Sequence, residues 1–246
     1  MDNLYIKGIH LKDEISKENS YITDLPVIKK FHNIKLSKKV TFFVGENGSG
    51  KSTLLEAIAV NMGFNAEGGT KNFCFSSKAT HSDLYKYLTV VKSVNRPNDG
   101  FFLRAESFYN VATEIDNLDS ESFGGNQVIN SYGGESLHNM SHGESFMTLM
   151  TTRFGGHGIY ILDEPEAALS PIRQMAMLTV INELVKKNSQ FIIVTHSPIL
   201  MAYPDADIFV IDDTGIVKTP YKKTDNYIIT KKFLENPEKM LKYLFE

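Results

Sequence analysis

The run Val40-Thr41-Phe42-Phe43-Val44-Gly45-Glu46-Asn47-Gly48-Ser49-Gly50-Lys51-Ser52-Thr53-Leu54-Leu55-Glu56-Ala57-Ile58-Ala59-Val60 decides the fold. Its first five residues read as a buried strand and its last seven as a helix. Between them lies a glycine-rich loop closed by Lys51 and Ser52. A strand, such a loop, Lys-Ser and a helix in that order make a phosphate-binding P-loop rather than a plain glycine turn. Gly45, Gly48 and Gly50 let the backbone take positive φ and approach an anion closely. Successive N–H groups from Glu46, Asn47 and Ser49 through Thr53, at a helix N-terminus, then surround a phosphate. Lys51 reaches the terminal phosphate oxygens, and the Ser52 hydroxyl is placed to ligate Mg²⁺.

Outward from this run, the chain of 246 residues has room for one large domain or two small ones, and an apolar fraction of 42% supports a substantial core. A net charge of −3 gives no global basic field to attract nucleic acid or anionic membrane, and the local lysine clusters read as solvated faces. Cys74 is the single cysteine, which excludes an intrachain disulfide and a cysteine metal site and suits a reducing cytoplasm. The N-terminal residues lack the basic and apolar regions of a secretory signal, and no window approaches a membrane span.

Strands are expected at 4–11, 21–28, 34–36, 40–44, 88–94, 101–104, 159–162 and 191–194, with an edge hairpin at 208–211 and 216–218. Helices are expected at 51–62, 81–87, 107–118, 144–154, 171–187, 227–234 and 237–245. Continuous apolar strands alternating with helices imply an α/β fold, its mostly parallel sheet covered on both faces.

Ile159-Tyr160-Ile161-Leu162-Asp163-Glu164-Pro165 has the form of a Walker B strand. Four apolar residues bury it in the sheet, and its carboxyl end directs two acids at a nucleotide. Asp163 is placed to hold Mg²⁺ and Glu164 to polarise the attacking water. As an isolated pair they would read as surface acids; beside a P-loop they do not. Ser141 and Glu144, before a helix, form a capping-box pattern. Thr195-His196-Ser197 ends another buried strand. His138 and His142, four apart without carboxylate or cysteine partners, make a poor metal site.

Met140-Ser141-His142-Gly143-Glu144 resembles the Leu-Ser-Gly-Gly-Gln/Glu signature of ABC-type ATPases, in the Glu form of their SMC and DNA-repair branch. Ser141 and Gly143 match; His142 replaces a glycine and Met140 a leucine. The run 42–59, Phe101-Phe102-Leu103-Arg104-Ala105-Glu106-Ser107-Phe108 and Ser141-His142-Gly143-Glu144-Ser145 together resemble small stand-alone bacterial ATPases of this class. The resemblance spans about residues 4–211. It implies an ABC-type P-loop ATPase head with an inserted lobe at about 63–140, too short for a coiled-coil arm. The chain is then a single domain, 1–246, ending in a helical tail at about 220–246.

The same resemblance implies Mg²⁺-dependent ATP hydrolysis in a homodimer that closes head to tail on ATP. Ser141 and Gly143 would bind the γ-phosphate held by the second copy's P-loop. Glu166-Ala167-Ala168-Leu169-Ser170 would be the D-loop and His196 the switch histidine. Glu106 stands where the family has its Gln-loop glutamine, either helping to hold Mg²⁺ or water or capping helix 107–118. Tyr21 and Phe31 lie in range of an adenine-stacking aromatic, with core packing the commoner fate of either. Two roles follow from the resemblance: a soluble cytoplasmic switch acting on nucleic acid or a partner protein in repair or phage defence, or the detached ATP-binding subunit of a membrane transporter. The Glu form of the signature favours the first.

Overall fold

The computed structural model describes residues 4–17, 21–29, 31, 33–71, 82–121 and 128–246. Cys74 and His81 lie outside them, as do the rest of residues 72–81. The strands are β1 (Ile6–Leu11), β2 (Asn33–Lys35), β3 (Val40–Gly45), β4 (Leu88–Lys92), β5 (Asp99–Arg104), β6 (Gly158–Asp163), β7 (Gln190–Val194), β8 (Asp207–Asp212) and β9 (Gly215–Lys218). The helices are α1 (Tyr21–Asp24), α2 (Pro26–Lys29), α3 (Lys51–Asn61), α4 (Leu84–Tyr87), α5 (Phe108–Glu121), α6 (His142–Arg153), α7 (Pro171–Lys186), α8 (Pro198–Met201), α9 (Asp225–Glu235) and α10 (Pro237–Phe245).

Among the described residues the central sheet runs β5-β6-β7-β3-β8-β9. Its pairs are parallel except the β8–β9 hairpin at the edge. Alternation along the strands splits the core in two. Phe43, Ile161, Ile192 and Val194 point to the face carrying α3 and the first part of the chain. Phe42, Val44, Tyr160, Leu162, Phe191 and Ile193 point to the face carrying α5, α6 and α7. A strand buried on both faces has no polar side, which is why β3, β6 and β7 read as continuous apolar runs.

A second, antiparallel sheet runs β2-β1-β4. Gln190 docks it onto the central sheet. Its Oε1 accepts from the Tyr5 and Ile6 N–H groups at 2.8 Å each, and its Nε2 donates to Ile6 O at 2.9 Å. The side chain is fully buried, and both ends are satisfied, as burial of an amide requires.

One expectation changes. Residues 21–28 form the short helices α1 and α2, not a strand. Pro26 cannot donate in a ladder but suits the first turn of a helix, and the apolar residues Ile22, Val27 and Ile28 reach the core from helical spacing. The described part of 63–140 is shared out. β4 pairs with β1, β5 is the edge strand beside β6, and α5 joins the helical layer leading to residue 140.

Candidate nucleotide site

The P-loop lies at the carboxyl end of β3, and its glycines are held by close packing. Gly50, the residue before α3, has φ 90°, and a Cβ there would sit 2.6 Å from Val27 Cγ1. A Cβ on Gly45 would meet Ile211 O at 2.3 Å. The loop is thus clamped between α2 and β8, and Val27 N donates to Ser49 O at 3.0 Å.

Lys51 is 4% exposed, and its Nζ donates to Gly45 O at 2.9 Å and Glu46 O at 2.7 Å. Burial pushes its pKa below the ordinary lysine value, while Glu164 and Asp163 pull it back up. The ammonium thus rests on two loop carbonyls, a weaker arrangement than a paired anion would give. Ser49 Oγ, also in the loop, is buried and has no hydrogen-bond partner among the described residues. A buried hydroxyl without a partner is costly and points to an acceptor from outside the chain.

Ser52 Oγ donates to Asp163 Oδ1 at 3.0 Å, joining the P-loop helix to the end of β6. Asp163 is 6% exposed, and burial raises its pKa to about 6, against the opposing pull of Arg104 and Ser52. Arg104, at the end of β5, spans the acids. Its Nη1 is 2.8 Å from Glu56 Oε2, its Nε 3.6 Å from Asp163 Oδ2, and its Nη2 4.0 Å from Glu106 Oε2. Ser52, Asp163, Glu106 and Glu164 line one cavity of about 240 Å³, with His142 at its rim. A hydroxyl and carboxylates converging on one space form a hard-oxygen donor set, which fits Mg²⁺.

Glu164 has φ 49° and ψ 51°, a left-handed conformation that a side chain with a Cβ rarely adopts. The turn is pinned by Glu164 N donating to Val194 O at 3.0 Å. It brings Glu164 Oε1 to 3.5 Å from His196 Nε2, a buried ring nitrogen with no hydrogen-bond partner among the described residues. The backbone of His196 is held on both sides: its N–H donates to Glu166, and its carbonyl accepts from Asn226 Nδ2 at 3.0 Å. His196 and the P-loop together line a second, larger cavity of about 680 Å³.

Ser141 and Gly143 line neither cavity. Ser141 caps α6, its N–H and Oγ both donating to Glu144 Oε2. Arg173, from α7, closes on this corner, with Nη2 3.1 Å from Glu144 Oε1 and Nη1 donating to Ser141 Oγ at 3.4 Å. The hydrogen bonds from Ser141, with help from Arg173, hold the Glu144 carboxyl below its usual pKa. A Cβ on Gly143 would fall 2.4 Å from Arg173 Nη1 and 2.7 Å from Ala168 O, so the glycine admits both the arginine and the 166–170 loop. His142 is taken up by Tyr109, whose hydroxyl is 3.0 Å from His142 Nδ1. Among the described residues there is no cluster of three His, Cys, Asp or Glu side chains placed as metal ligands.

Of the aromatics in range of the nucleotide, Phe31 is 3% exposed in the core and Tyr21 is 63% exposed on α1; neither lines the P-loop cavity. Arg104, Glu56 and Arg173 are site residues with no sequence expectation attached. Arg104 had one faint signal, a charge at the end of an apolar strand next to Glu106.

The RecF/RecN/SMC N-terminal domain family matches residues 22–217. Among curated proteins no relative matches. Three solved structures show the fold. MJ1267, an ATP-binding cassette of an ABC transporter, is similar at TM-score 0.54 and 17% identity, covering 95% of this chain and 98% of that one. CbiO1 from Clostridium perfringens, part of the ABC transporter complex cbiONQ, is similar at 0.51 and 17%, covering 95% and 96%. An SMC head bound to the C-winged helix domain of ScpA is similar at 0.51 and 17%, covering 89% and 99%. No helix of the described residues is long and apolar enough to cross a membrane. With four-fifths of its length matched, and with a P-loop joined to the β6 acids on a mostly parallel sheet, the chain has the α/β fold of P-loop ATPase heads and belongs to the RecF/RecN/SMC N-terminal domain family.

Proposed function

We propose that this head binds ATP with Mg²⁺ and hydrolyses it in a head-to-tail homodimer in the cytoplasm, as one ATPase unit whose cycle switches its action on nucleic acid or a partner protein. The observation that carries the reading is the 3.0 Å bond between Ser52 and Asp163, which puts the P-loop hydroxyl and the β6 carboxylate where both would hold one cation. Glu106, in the same cavity, adds a third oxygen donor or a water anchor. Bound Mg²⁺ would neutralise charge on the β- and γ-phosphates and favour the ionised form of Asp163.

The chain's own groups supply the rest. Lys51 moves from the Gly45 and Glu46 carbonyls to the phosphates, and the Ser49 hydroxyl and the N–H groups of residues 46–53 surround them. Glu164 orients and polarises water, with His196 beside it for the γ-phosphate. Ser141 and Gly143 of the signature corner serve the nucleotide of the second copy, in line with neither of them lining a cavity of its own chain, which only His142 between them reaches. Family membership favours a switch on nucleic acid or a partner protein over a transporter subunit, since the likeness to transporter cassettes rests on fold.

Binding and turnover of the intact chain test this reading. Lys51→Ala should weaken ATP by roughly 10–100-fold in calorimetry, the worth of one charge-assisted contact of about 1.5–3 kcal/mol. Chelation of divalent cations should abolish phosphate release. Unchanged ATP affinity in Lys51→Ala would sink the P-loop assignment.

A further inference from the structure

The 680 Å³ cavity is larger than a triphosphate needs and lies within the range of pockets that enclose whole small molecules. Part of its lining belongs to α9, a helix of the last thirty residues that follows the matched family region and has no counterpart in the P-loop motif. Asp225, Asn226, Ile229 and Thr230 of α9 line the cavity together with Pro26 of α2 and Val210 and Ile211 of β8, and Asp212 and Asp213 add two further acids to it. Apolar and hydrogen-bonding groups are therefore gathered in one cavity with the P-loop. Ile229 leaves 58% of its surface exposed, an apolar side chain facing open space beside an anion loop.

The arrangement suits a nucleoside. A flat base needs apolar surface, which Ile229 and Pro26 supply. Ribose hydroxyls and base amino groups are donors, and a carboxylate such as Asp225 accepts from them. A phosphate, by contrast, is repelled by Asp225. The helix is anchored in place, since Thr224 Oγ1 accepts from Tyr227 N at its start and Asn226 Nδ2 donates to the His196 carbonyl.

We propose that α9 is the nucleoside-reading wall of the nucleotide site, taking the base against Ile229 and Pro26 and the sugar or base donors on Asp225. The tail thereby replaces the aromatic platform that Tyr21 and Phe31 do not provide. Because Asn226 holds the backbone of His196, occupancy of the nucleoside end is joined to the group that faces the γ-phosphate. The inference rests on the P-loop reading and adds the part of the ligand that the P-loop does not touch.

The experiment compares ATP with inorganic tripolyphosphate by calorimetry on the full chain, with Ile229→Asn and Asp225→Asn, both at exposed positions. Wild type should bind ATP more tightly than tripolyphosphate. Ile229→Asn should weaken ATP about tenfold and leave tripolyphosphate unchanged. Asp225→Asn should weaken ATP while leaving tripolyphosphate equal or tighter, since a repelling charge is gone. Equal binding of the two ligands by wild type, unchanged ATP affinity in both variants, or parallel losses for the two ligands would overturn the α9 wall and leave the P-loop standing. ATP binding that tightens in Ile229→Asn would make α9 a plug rather than a wall and overturn it equally. Failure of wild type to bind either ligand would take the P-loop reading down with it.

Discussion

Glu164 carries the greatest chemical demand on one residue, and its backbone shows it. A left-handed glutamate costs about 1–3 kcal/mol, sustained by the bond from its N–H to Val194 O. The turn brings the carboxylate to 3.5 Å from His196 Nε2. Glu164→Gln should keep ATP affinity and lose turnover by roughly 10²–10⁴-fold, since it removes the charge and not the shape. Phosphate release beside calorimetry checks this, and a wild-type rate would place the base elsewhere. Arg104 makes a different kind of demand. It is the cation among Glu56, Asp163 and Glu106, and its removal strands two buried carboxylates. Arg104→Gln should lower stability by about 3 kcal/mol. It should also raise the pKa of Asp163 above its present value of about 6, because the arginine is the largest influence holding it down. Denaturant midpoints and NMR titration of the carboxylate read the two effects separately; loss of neither would show the cluster to be incidental.

Among the elements, the joint between β5, α6 and β6 is fastened by Asp99. It accepts from Tyr160 OH at 2.7 Å, from Gly155 N at 2.9 Å and from Arg153 Nη1 at 2.9 Å. Burial works to raise its pKa, but the bonds from Gly155 and Tyr160 and the Arg153 charge outweigh it, and the net shift is downward. A carboxylate with a depressed folded pKa contributes stability that is complete above its unfolded value and is lost as pH falls through the folded one. The wild type should therefore lose stability as pH drops below about 4. Asp99→Asn should be less stable at pH 7 by about 1–3 kcal/mol and fall less steeply in acid. Chemical denaturation at pH 7 and pH 3 tests it; identical acid slopes would remove Asp99 from the joint's energetics.

At the scale of the whole molecule, the residues around the P-loop and the corner at Ser141 belong to different elements. The P-loop, Asp163, Glu164 and His196 gather at the carboxyl ends of β3, β6 and β7, while Ser141 and Gly143, clasped by Arg173, line neither cavity and only His142 between them reaches the smaller one. If the two groups meet between copies, Lys51→Ala and Ser141→Arg should each be nearly inactive as homodimers. Mixed, they should recover hydrolysis, because one site combines the intact P-loop of the second variant with the intact signature of the first. Differently tagged chains that co-elute with ATP show that mixed dimers form. Full activity of Ser141→Arg alone would exclude a signature acting across subunits. Wild-type specific activity should also rise with protein concentration while the dimer is forming.

What is written locally in the chain can be read from it. The glycine loop after Val40–Val44, the acids after Ile159–Leu162 and the histidine after Phe191–Val194 each occupy a strand end, and strand ends are set by short-range pattern and turn chemistry. That is enough for the parallel sheet and for where the glycine loop, the two acids and the histidine fall along it. The run at 21–28 departs from its strand reading because apolar residues alone do not separate a strand from a short helix, and Pro26 decides it. The rest depends on residues far apart in sequence. Arg104 meets Glu56 and Asp163, Gln190 meets Tyr5 and Ile6, Arg173 meets Ser141 and Glu144, and α9 comes to rest on the P-loop cavity. No periodicity marks such pairs, since each partner's own neighbourhood is ordinary. The left-handed turn at Glu164 is likewise imposed by its bond to the neighbouring strand. Sequence by itself determined which chemistry the strand ends would carry; the tertiary structure alone decided which distant side chains complete it, because only packing brings them within a bond's length.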